Sequence, residues 1–143
     1  MPQTPQKNIP LGKLLPHLLL VAAVVCFWRS GVLGAITPDS APFPATKLSV
    51  LVVRDMQRMD DYTPEQVNAI NSTLWKEYVT SQGGDYDVVD PTDTSDLSGW
   101  QKEAFSVEQK SDPWLVVSNG KTGASEAVVD LQTMLATVKE HGK

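Results

Sequence analysis

Apolar residues follow several rhythms along this chain of 143 residues, and each rhythm predicts an element. Residues 14–36 are almost continuously apolar. Residues 47–54, Lys-Leu-Ser-Val-Leu-Val-Val-Arg, place β-branched and aliphatic side chains on both faces, the pattern of a strand covered on both sides by helices. A polar stretch, residues 55–62, leads to Thr63-Pro64-Glu65-Gln66. There Thr63 can cap a helix, Pro64 presets φ at its first position, and Gln66 can complete a capping box. Val67, Ile70, Leu74 and Tyr78 then recur at helical spacing until Gly83-Gly84, which predicts one helix of about five turns. Residues 85–90 read as a shorter strand, and residues 91–96 as a turn-rich connection. Leu97, Trp100, Ala104 and Phe105 suggest a short helix interrupted by Gly99. Trp114 to Ser118 is a further apolar strand, and Asn119-Gly120 predicts a hairpin that returns residues 124–129 antiparallel. Asp130 opens a last helix with Leu131, Met134, Leu135 and Val138 on one face. The predicted order is β-α-β-α-β-β-α.

The N-terminal part reads differently. Residues 1–13 form a basic tail with Lys7 and Lys13, and residues 14–36 a transmembrane or signal-anchor segment. Its apolar core covers about 15 residues to Trp28, and about 20 or more if it continues to Ile36 with Arg29 snorkelling. The charge bias predicts a single pass with the N-terminus cytoplasmic and the following domain periplasmic or extracellular; the alternative is secretion after signal cleavage. Residues 37–46 carry Pro38, Pro42 and Pro44 and are expected to be an extended, proline-rich linker, with the folded domain at 47–143.

Charge and cysteine usage remove whole classes of function. All seventeen acidic residues lie from Asp39 onward, against nine of the twelve lysines and arginines, so the domain is acidic and is expected to bind no nucleic acid. Its membrane contact should come from the N-terminal helix alone. The only thiol, Cys26, lies in the apolar segment, which excludes an intradomain disulfide, a CxxC pair, a thiol nucleophile and a thiolate zinc site. His17 lies in the same segment and leaves the domain His141 alone, so a two-histidine metal site cannot be built there. Asp85-Tyr86-Asp87-Val88-Val89 matches the DxDxV pattern of aspartyl-phosphate chemistry, but the apolar residues follow the motif instead of leading to it. Asp90, Asp93 and Asp96 offer oxygen ligands without calcium-loop spacing and are expected to be solvated turn residues. No cofactor and no metal are expected.

The order of elements, Pro113 immediately before the third strand, and the run Trp114-Leu115-Val116-Val117-Ser118-Asn119-Gly120-Lys121 together resemble the thioredoxin fold. The resemblance covers about residues 47–141 and implies a three-layer α/β domain with a cis-proline at Pro113. Active members of that family carry Cys-x-x-Cys after the first strand, at a helix N-terminus that lowers the thiol pKa. Here the stretch is Arg54-Asp55-Met56-Gln57-Arg58-Met59-Asp60-Asp61-Tyr62, so the resemblance implies a redox-inactive member. It also implies that the backbone beside the cis-proline pairs with an extended peptide. The candidate binding residues are therefore Met56, Arg58, Met59, Tyr62, Asp112, Pro113 and Trp114.

Two functions follow as expectations. The first is a membrane-anchored interaction or scaffold module that takes a protein or peptide partner. The alternative is a carboxylate- or metal-dependent enzyme built from Asp55, Asp60, Asp85 or Asp90, for which the sequence supplies no convergent base, nucleophile and oxyanion donor.

Overall fold

A computed structural model describes residues 40–143, and the basic tail, the apolar segment and the start of the linker lie outside the described residues. The strands are β1 (Ser49–Val53), β2 (Asp85–Val89), β3 (Trp114–Ser118) and β4 (Gly123–Ala127). The helices are α1 (Pro64–Asn71), α2 (Thr73–Ser81), α3 (Gly99–Phe105) and α4 (Leu131–His141), with a 3-10 segment at Met56–Asp61. The sheet order is β2-β1-β3-β4. β1 runs parallel to β2 and antiparallel to β3, and β3 and β4 are antiparallel. Among the described residues, no helix is long and apolar enough to cross a membrane.

The register explains why β1 and β3 are apolar on both faces. Val50 pairs with Val117 and Val52 with Leu115, while Leu51 pairs with Val116 and Val53 with Trp114. Successive side chains alternate across the sheet, so the first two pairs join the core under α1, α2 and α4 and the second two the core under α3. All ten residues of the two strands are buried. The hairpin expected at Asn119-Gly120 is present. Asn119 Oδ1 accepts from the N–H groups of Lys121 and Thr122, and Gly120 takes φ +83°, a conformation that costs glycine little.

Three local readings need correction. The helix expected from Thr63 to Gly83 is two helices. Thr63 and Gln66 form the expected capping box, but Ser72 is extended at ψ 136° and caps α2 through the Leu74 N–H. Ile70, Leu74 and Tyr78 keep helical spacing across this break, which hides it from the sequence, but Leu74 is exposed and α2 buries Trp75 and Val79 instead. Trp75, fully buried, donates its indole N–H to the carbonyl of Ala69 in the last turn of α1, which also accepts from the Ser72 N–H. The polar stretch after β1 is largely 3-10 helical, because Asp55 caps it by accepting from the Gln57 N–H. Finally, residues 40–46 are not a free tether. Phe43 is 3% exposed and stacks on Trp100 at 6.4 Å between ring centres. Its carbonyl accepts from the buried Ser118 hydroxyl at 2.7 Å, and Ser40 forms a β-bridge with Thr122. Burying an aromatic side chain contributes about 2–3 kcal/mol, enough to hold a short proline-rich segment against the domain.

Candidate functional site

The parallel and antiparallel pairings gather four segments at one end of the sheet. They are the loop after β1, the loop after β2, the approach to β3 and the exit from β4. Arg54 N–H donates to the Val89 carbonyl at 2.9 Å, and Val128 N–H to the Pro113 carbonyl at 3.1 Å, which fixes these segments side by side. The Asp112–Pro113 peptide bond is cis, as the sequence reading expected.

Asp112 is the centre of this end. Its Oδ1 accepts from the Tyr62 hydroxyl at 2.6 Å and from the Asp55 backbone N–H at 3.1 Å, partners 50 and 57 residues away in sequence. The Tyr62 oxygen in turn accepts from the same Asp55 N–H at 2.8 Å, so one backbone donor is shared between a hydroxyl and a carboxylate. Tyr62 is 8% exposed. Burial, reinforced by the bond to Asp112, pushes its hydroxyl well above the ordinary tyrosine range, so the proton stays on Tyr62 and is donated to Asp112.

The other carboxylate oxygen is unlike the first. Asp112 Oδ2 is buried and has no hydrogen-bond partner among the described residues. Its nearest cation is Arg58 Nη1 at 3.6 Å, beyond hydrogen-bonding reach. Arg58 is tied elsewhere, its Nε donating to Asp61 at 3.1 Å, and that bond raises the guanidinium pKa further above its ordinary value. More than half of the Arg58 side chain is exposed, against a fifth of Asp112.

The seven residues singled out from the sequence thus divide. Arg58, Tyr62 and Asp112 form one connected polar knot, with Pro113 buried directly behind Asp112. Met59 stands beside it, its sulfur within 3.9 Å of Arg54 Nη1, which also reaches Asn71 Oδ1 at 3.4 Å. Met56 is half exposed and offers apolar surface. Trp114 does not reach that surface: it is 5% exposed in the core under α3, and its indole N–H donates to the Ser125 hydroxyl at 2.8 Å. Sequence reasoning missed Asp55 as the backbone donor of the knot and Val129 as a second exposed apolar side chain at this end, next to the residue that pairs with Pro113.

Of the carboxylates considered for an enzyme, Asp55 and Asp90 lie on loops that share this end of the sheet, and Asp85 does not. Asp85 pairs with Lys47 at 2.8 Å at the opposite end of β2, away from Asp55. Asp90 bonds locally, to the Thr92 hydroxyl at 2.6 Å and the Thr92 N–H at 2.8 Å, and its other oxygen accepts from the Met56 N–H at 3.1 Å. Those bonds, the hydroxyl first, hold its pKa below the usual carboxylate range. Asp87, Asp90, Asp93 and Asp96 line an open cleft of about 240 Å³. Among the described residues no group of three or more histidine, cysteine or acidic side chains is placed to hold a metal ion. Compared with known protein families, curated proteins and solved structures, the chain matches none of them.

Proposed function

We propose that the described domain is thioredoxin-like and redox-inactive, and that it serves as a protein- or peptide-binding module held outside the cytoplasm by the apolar segment at residues 14–36. The sheet order β2-β1-β3-β4, with a parallel β1–β2 pair and an antiparallel hairpin, supports the fold reading. One observation carries the function. The loop after β1, where a dithiol would work in active relatives, is tied by Asp112 and Tyr62 to the approach to β3, and no thiol is present to react there. The backbone N–H and C=O of Asp112 enter none of the described hydrogen bonds, which leaves them for an extended partner segment. Met56 and Val129, 52% and 57% exposed, lie on the segments that follow β1 and β4, the two strands beside β3, and offer apolar contact to such a segment.

Photo-cross-linking tests the reading. With p-benzoylphenylalanine in place of Met56 or Val129 in the full chain, irradiation of the host cells should give a discrete protein adduct that Asp112→Ala weakens. The same label at Leu74, equally exposed on α2, should give none. Adducts from Leu74 alone, or equal adducts from all three positions, would contradict the proposal.

A further inference from the structure

We infer that Asp112 Oδ2 is the point at which this surface selects its partner, by accepting from a lysine or arginine side chain of the extended segment that lies along Asp112–Pro113. The inference rests on the peptide-binding reading above and adds the chemistry of the peptide to it.

The two oxygens of Asp112 have different duties. Oδ1 is saturated by two donors of the protein itself, the Tyr62 hydroxyl and the Asp55 N–H, and these fix the carboxylate plane. Oδ2 shares that fixed plane but has no donor. Buried acceptors without partners are rare because desolvating a carboxylate oxygen is costly, so an orphan of this kind calls for a donor that binding supplies. The donor set nearby is nearly spent. The Tyr62 proton is committed to Oδ1, and the Arg58 Nε to Asp61. Only Arg58 Nη1 faces Oδ2, and at 3.6 Å from an exposed, rotatable side chain it forms a loose cover that an incoming cation can displace. A charge-assisted bond from a partner ammonium or guanidinium satisfies Oδ2 at hydrogen-bonding distance, which Arg58 does not.

The acidic balance of the chain favours the same sign of partner, with a formal net charge of −5. The selection is therefore for a cationic side chain flanked by extended backbone, with an uncharged segment held by the backbone and by Met56 and Val129 alone.

Two blocked pentapeptides, Ala-Val-Lys-Val-Ala and the same sequence with norleucine for lysine, make the comparison on the full chain in detergent micelles. Calorimetry or fluorescence polarisation should show the lysine peptide binding about tenfold more tightly, the worth of one charge-assisted hydrogen bond. Asp112→Asn should bring the two peptides to equal affinity, and a thermal melt of the variant should confirm that it remains folded. Arg58→Ala, which removes the competitor from an exposed position, should widen the preference for the lysine peptide over the norleucine peptide. Equal affinity of both peptides for the wild-type chain would overturn the role of Oδ2 and leave the binding surface standing. Failure of both to bind would overturn the surface itself and the inference with it.

Discussion

Two groups of acidic residues meet at the same end of the sheet, and they are built in opposite ways. Asp112 draws its partners from 50 and 57 residues away, is four-fifths buried, and joins the loop after β1 to the approach to β3. Asp90 and Asp93 bond mainly to neighbours two positions on, apart from the single Met56 N–H that reaches Asp90 from 34 residues away, and Asp93 and Asp96 face solvent. The difference shows that the reach of a carboxylate's hydrogen bonds, more than the density of carboxylates, separates a constructed site from a solvated turn.

Substitutions should expose that contrast in proportion to reach. Asp112→Ala strips the acceptor from a buried hydroxyl and a backbone N–H at once and should cost about 2 kcal/mol. In a domain of this size that lowers the melting temperature by about 10 °C, measured by circular dichroism. Tyr62→Phe removes one of the two donors and leaves the Asp55 N–H on Asp112, so about 1 kcal/mol should be lost. Asp93→Ala and Asp96→Ala should leave the melt unmoved, and so should millimolar calcium, which would otherwise stabilise the folded state by mass action. A calcium shift, or a destabilisation at Asp93 comparable with that at Asp112, would erase the distinction between the two regions.

The pH dependence distinguishes them again. Tyr62 has a raised pKa in the folded state, so its contribution is complete below the unfolded value of about 10 and is lost as pH rises above it. Alkaline melting of the wild type should therefore fall more steeply than that of Tyr62→Phe. Asp90 and Asp130 have lowered pKa values, from the Thr92 hydroxyl in one case and the Thr133 N–H at the start of α4 in the other. Their contributions are present above about pH 4 and fade below it, which Asp90→Asn and Asp130→Asn should each diminish.

What was legible in the sequence was chemistry confined to a few residues. The Thr63–Gln66 box, the Asn119-Gly120 hairpin and the doubly apolar β1 and β3 each carry their physical cause within one short window. Ser72 carried its cause too, a capping hydroxyl, but the in-phase apolar residues on either side outweighed it. Phe43 was masked by its prolines, because the partners that bury it, Trp100 and Ser118, lie 57 and 75 residues downstream. The site was partly legible: Pro113 and its neighbour Asp112 stood out before an apolar run, and the loop after β1 stood out as the place where a thiol pair was missing. The bond that connects them was not, since no local pattern pairs a tyrosine with an aspartate 50 residues away. Trp114 adjoins Pro113 in sequence, and the β3 pleat turns it into the core.

The claim at the centre of this account is that the Asp112–Pro113 end of the sheet is where a partner segment docks. Nitrogen-15 amide spectra of the full chain, titrated with the lysine pentapeptide, test it most directly. The account predicts shifts confined to residues 55–63, 112, 114 and 128–130, with the amides of residues 92–96 unmoved. Shifts centred instead on α2 and the outer edge of β2, or on residues 92–96, would contradict it.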